Sequence, residues 1–74
     1  MASRAPRLTA REIEAILSRH GFELISQKGS HRKWRRRELS LQVIVPEHLG
    51  RQLPVGTVRS ILVHAEIPRE EWKP

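Results

Sequence analysis

The chain contains no cysteine and no tyrosine, and among its 74 residues only Phe22, Trp34 and Trp72 are aromatic. Without thiols there is no disulfide framework and no thiolate metal site, and the composition fits a reducing compartment. So short a chain builds one small core, in which every apolar position counts. No apolar stretch approaches the ~20 residues that a membrane-spanning helix needs. The first seven residues, Met1-Ala2-Ser3-Arg4-Ala5-Pro6-Arg7, carry charge but lead into no apolar run, so they do not read as a secretory signal. A cytoplasmic protein with no membrane association is therefore expected. Acidic residues are also scarce: eight, against fourteen Lys and Arg, for a net charge of +6. Such an excess favours a polyanionic partner such as nucleic acid, an anionic membrane or an acidic protein.

What is present reads as a disordered leader over residues 1–7 and one domain over 8–74. Thr9 and Glu12 have the spacing of a capping box, and Leu8 and Ile13 flank it as a hydrophobic staple. Ile13, Ile16 and Leu17 then form an apolar stripe at helical spacing. Gly21 stands where a left-handed stop belongs, with Phe22 positioned to touch Leu17. From Phe22 to Gln27 the pattern alternates as a strand, with Phe22 and Leu24 on one side. Lys28-Gly29 supplies a turn, and a second strand runs from His31 to about Arg36. A turn of undefined type follows at Arg36-Arg37-Glu38. Leu39, Leu41, Val43 and Val45 alternate with Ser40 and Gln42 in a third strand that Pro46 ends.

Short connections make the three strands an antiparallel meander. After a loop over 47–53, Pro54 opens a second helix whose stripe is Val58, Ile61, Leu62 and Ala65, and Ile67-Pro68 ends it. A last turn over 69–72 would bring Trp72 onto the edge of the core. The expected class is α+β, in the order α-β-β-β-α: a three-stranded antiparallel sheet with two helices on one face and the other face open. Leu17, Phe22, Trp34, Val43, Ile61 and Leu62 are the expected core.

Residues 28 to 37 hold six of the fourteen basic residues and no acidic one. On a strand, side chains alternate between faces, so His31, Lys33 and Arg35 share one face and Trp34 takes the other. A basic run is often only a solvated face. This one lies in a strand, which holds alternate cations in register around the one side chain that titrates near neutrality. A base for the ribose 2′-hydroxyl, with cations on the phosphate, is the equipment for RNA cleavage by the RNA's own hydroxyl. In that reading His31 is the general base, and Lys28, Gly29, Ser30, Lys33 and Arg35 bind phosphate. His48 is a second candidate, as a loop histidine able to protonate the leaving 5′-oxygen, or else an ordinary surface residue. His20 and His64 read as helix C-terminal residues. Four widely spaced histidines without cysteine do not form a zinc site, so no metal and no cofactor are expected.

Several blocks together resemble a known family. Gly21-Phe22, Gln27-Lys28-Gly29-Ser30-His31-Arg32-Lys33-Trp34, Val45-Pro46 with His48, and Gly56-Thr57-Val58-Arg59-Ser60-Ile61-Leu62 are similar, in that order, to the HicA toxins of bacterial toxin–antitoxin pairs. The likeness spans about residues 8 to 72. It implies a double-stranded-RNA-binding-domain-like fold and an mRNA interferase with His31 on the catalytic histidine. It also implies a HicB-like antitoxin as partner, and a toxin that is a monomer when free is expected. Two positions depart from the pattern: Glu66 replaces the glycine that usually ends the second helix, and Arg36-Arg37-Glu38 replaces a Pro/Asp/Gly hairpin. The same residues also fit two other readings: a non-catalytic RNA-binding module, and a small domain whose basic face meets an acidic partner. The helix over 54–65 carries only Arg59, which argues against reading duplex RNA in the usual way.

Overall fold

The computed structural model describes residues 5–74, in which the order is α1 (Ala10–Arg19), β1 (Glu23–Lys28), β2 (His31–Arg36), β3 (Leu41–Pro46) and α2 (Val55–His64). Two 3₁₀ turns, Arg37–Leu39 and Arg69–Glu71, complete it. The strands form one antiparallel sheet in the order β1-β2-β3. This is the α+β arrangement expected from the sequence.

Helix α1 forms where its caps put it. The Thr9 hydroxyl accepts from the Glu12 backbone N–H at 3.2 Å, and the Thr9 N–H donates to Glu12 Oε1 at 2.9 Å. Each satisfies a donor that the helix leaves orphaned. Leu8 and Ile13, the staple pair, are both buried. At the other end Gly21 takes φ 89°, Gly21 N–H donates to Ser18 O, and Phe22 N–H donates to Leu17 O. That is a Schellman stop, and it buries Phe22.

Helix α2 ends in the same motif, with Glu66 N–H donating to Val63 O and Ile67 N–H to Leu62 O. Here the left-handed position belongs to Glu66, at φ 56°. The missing glycine therefore leaves the cap geometry intact but puts a side chain where L-residues are strained by about 1–2 kcal/mol. Glu66→Gly should relieve that strain. Set against the greater freedom of glycine in the unfolded chain, the net gain is about 1 kcal/mol, a rise in melting temperature of about 4–8 °C. A thermal transition that does not move, or that falls, would contradict this account.

The core lies between the helices and β3. Ile13, Ile16 and Leu17 of α1 meet Val58, Ile61 and Leu62 of α2 over Val43 and Val45, the only buried strand residues among those described. Leu53 joins them, held by its N–H to Leu8 O at 2.8 Å. The last segment is tied to α1: Arg19 Nη2 donates to the carbonyls of Glu71 and Lys73, and Trp72, buried, donates through Nε1 to Ile67 O at 2.8 Å.

Several expectations are corrected. The leader was read over residues 1–7: Met1 to Arg4 lie outside the described residues, but Ala5 is buried in the core cluster. Phe22 precedes β1 and is not part of it. Leu24 does face inward, paired with Trp34, yet it is 41% exposed because β1 is an edge strand that the helices do not reach. Trp34 packs against the core only partly buried. Leu39 lies in the 3₁₀ turn, with Ser40 in the left-handed region after it, and not in β3. Pro54 is the residue before α2 and not its first turn.

The half-burial of Trp34 has a polar cause. Its indole Nε1 donates to Glu14 Oε2 at 2.8 Å, and Arg32 Nε donates to the same oxygen at 2.6 Å. Arg32 also reaches Gln27 Oε1. Glu14 of α1 thus gathers two β2 side chains that point away from the open face. Arg36 points the same way and lays its stem over Gly21, where an added Cβ would meet its Nε at 3.4 Å.

Candidate functional site: a histidine on the open sheet face

The chain turns between β1 and β2 in two residues, Gly29 and Ser30, with Lys28 paired to His31. Gly29 takes φ 59° and Ser30 keeps negative φ, the pattern of a hairpin turn whose first position demands glycine. The Ser30 carbonyl accepts from the Glu47 N–H at 2.7 Å, which locks the start of β2 to the end of β3. His31 follows at once on this rigid corner.

Strand register arranges the open face in rows. Lys28, His31 and Pro46 lie across one row, and Ser26, Lys33 and Ile44 across the next. Arg35 lies in the third, between Glu23 and Gln42. His31 is exposed, with no ring hydrogen bond among the described residues. Lys28, His31 and Lys33 line one depression of about 620 Å³, together with Ser26 and Ile44. The cations here are not neutralised by ion pairs among the described residues, whereas Arg32, one residue away in sequence, is held by Glu14.

The expected site residues divide accordingly. Lys28, His31 and Lys33 are brought together. Gly29 and Ser30 form the hairpin loop beside the depression, and Arg35 lies farther along the same face, outside the walls. His48 is in the loop after β3, two residues beyond the Pro46 that pairs with His31. Its carbonyl accepts from Arg51 N–H at 2.9 Å across a tight turn in which Leu49 and Gly50 both have positive φ. It does not line the depression.

Two wall residues were missed from sequence. Ile44 was legible as the outward residue between Val43 and Val45. Ser26 was not. Regular alternation would put it on the side of Leu24, but the register shifts between Leu24 and Ser26, and Ile25 is the extra residue. A bulge of one residue turns everything after it to the opposite face.

His20 and His64 sit at helix ends, as read. His20 Nε2 is 3.8 Å from Glu71 Oε1, and His64 Nδ1 is 2.7 Å from Ser60 O. Among the described residues, no helix is long and apolar enough to cross a membrane.

Fold and face together define a small α-β-β-β-α protein whose uncovered sheet presents a histidine between two lysines. Residues 10–67, from the start of α1 to the end of the α2 cap, match the family described as HicA toxin of bacterial toxin-antitoxin. The chain belongs to that family and is therefore a toxin with an antitoxin counterpart. Comparison with the curated proteins finds no match.

Proposed function

We propose that this toxin is a cytoplasmic endoribonuclease, an mRNA interferase, that cleaves RNA through the RNA's own 2′-hydroxyl, with His31 as general base. The observation that carries the reading is the exposed imidazole of His31 sharing one depression with Lys28 and Lys33. His31 takes the proton of a ribose 2′-hydroxyl, the 2′-oxygen attacks the adjacent phosphorus, and the bond to the 5′-oxygen breaks. The products are a 2′,3′-cyclic phosphate and a 5′-hydroxyl end. Charge that builds on the phosphate oxygens is met by Lys28 and Lys33, and Arg35 extends the cationic track along the strand. His48 is the candidate donor to the leaving 5′-oxygen, reached where the RNA passes the end of β3. In this chemistry the protein supplies both the base and the countercharge, so cleavage continues in EDTA. The antitoxin silences the toxin by covering this face, and the free toxin is a monomer.

The deciding test is inducible expression of wild type beside His31→Ala, with growth and total RNA followed together. Arrest and RNA decay with wild type alone support the proposal. Arrest with both would reject it, and RNA binding without any cleavage by wild type would leave the non-catalytic binding module.

Phosphate contact has its own signature. In the His31→Ala background, where RNA is not consumed, the affinity for a single-stranded oligonucleotide should fall steeply with salt. Neutralising Lys28, Lys33 or Arg35 one at a time should flatten the slope of log K against log salt by about 0.7 each. Arg32→Gln should leave the slope almost unchanged, because that guanidinium is engaged by Glu14.

A further inference from the structure

We infer that Ile44 is the platform on which the base of the cleaved nucleotide rests, holding its ribose over His31; this builds on the nuclease reading above. The depression has a size ordinary for a small-ligand site, within about 300–1,000 Å³. Four of its walls, Ser26, Lys28, His31 and Lys33, end in polar or charged groups, and Ile44 is the apolar one. Ile44 is 43% exposed, halfway along edge strand β3 on the face that no helix covers. RNA sites commonly stack a base on an aromatic ring, but no aromatic is available here: Phe22 and Trp72 are buried, and Trp34 is on the inner face. Ile44 is what remains to take a flat apolar surface.

Its position suits the task. Ile44 pairs with Lys33, and His31 is two residues from Lys33 along the same strand, so Ile44 and His31 are diagonal neighbours at about 7–8 Å. A base lying on Ile44 sets its ribose toward His31 and its phosphate toward the lysines. Ser26 faces Ile44 across Lys33, where its hydroxyl can donate to or accept from the edge of the same base.

The test is single-turnover cleavage of a single-stranded RNA oligonucleotide by the whole chain. Ile44→Ala should raise the half-saturating concentration roughly fivefold to tenfold, the worth of the apolar area lost, with a smaller change in the rate at saturation. Ile44→Phe, which keeps the apolar surface and offers a flat ring for stacking, should bind as well as wild type or better. An abasic residue at the nucleotide carrying the attacking 2′-hydroxyl should weaken wild type by a similar factor and Ile44→Ala hardly at all. Equal sensitivity of the two proteins to the abasic substitution, or wild-type saturation by Ile44→Ala, would overturn the platform. If His31→Ala is inactive while Ile44→Ala saturates like wild type, only this inference falls. If His31→Ala still cleaves, the nuclease reading falls first.

Discussion

If His31 is the general base proposed above, His31→Ala should lower RNA cleavage by about 10²–10⁴-fold, the range that a positioned general base contributes. The protein stays folded, because the ring it loses is exposed on the uncovered face and makes no hydrogen bond to the described residues. An exposed substitution of this kind changes stability by no more than about 0.5 kcal/mol, so thermal unfolding serves as the control. Two further readouts separate lost proton transfer from lost binding. The variant should keep the affinity for RNA that the proposed phosphate contacts of Lys28, Lys33 and Arg35 supply. Added imidazole restores part of the rate, since the vacated position opens directly to solvent. A variant that cleaves at the wild-type rate would remove His31 from the chemistry. One that loses RNA affinity in proportion to rate would make it a binding residue.

Glu14→Ala has the largest expected effect on stability. Glu14 Oε2 accepts from both Trp34 Nε1 and Arg32 Nε, and its side chain is only 11% exposed, against 28% for Arg32. Removing it leaves an indole N–H and a guanidinium without their acceptor in a partly buried place. Hydrogen bonds to charged groups are worth about 1.5–3 kcal/mol each, and the exposure of Arg32 lets water recover part of that loss. A net cost of about 2–3 kcal/mol follows, a fall in melting temperature of roughly 10–20 °C for a domain this size. Glu14→Gln keeps an oxygen able to accept from both donors, as Oε2 does, but loses the charge, and should lose about half as much. Because Arg32 and Trp34 alternate with His31 and Lys33 on the same strand, loosening their grip on α1 should also blur the open face. RNA cleavage by Glu14→Ala should decline even below its unfolding temperature. Unchanged stability would show the three-way contact to be incidental.

The basic run illustrates how far a sequence pattern reaches. Six cations between residues 28 and 37 read as one strip, and period-two alternation already separated His31, Lys33 and Arg35 from Trp34. The pattern could not say what the remaining cations do. Arg32 is spent on Glu14, a residue eighteen positions earlier on α1, while Arg36 lays its stem over Gly21 with its buried Nε unpartnered. Only the packing of α1 beneath the sheet brings Glu14 to Arg32 and Gly21 under Arg36. Likewise Trp34, the largest inward side chain of β2, was expected deep in the core. It is held half-way out because its N–H needs an acceptor and Glu14 lies at the helix edge.

The sequence by itself determined the elements whose signals are local. Helix α1 carries both of its caps within a few residues of its ends, the Gly29 turn needs a positive φ that glycine gives freely, and the alternation of β2 and β3 assigns each side chain to a face. Tertiary structure alone decided which cations are free, that a bulge at Ile25 carries Ser26 to the face of His31, and that Ile44 closes the same depression while His48 does not line it. Local signals act through neighbouring backbone and survive in a single chain read in order. Partner choice depends on residues brought together from three strands and a helix, and that distance is set only when the core closes over Val43 and Val45.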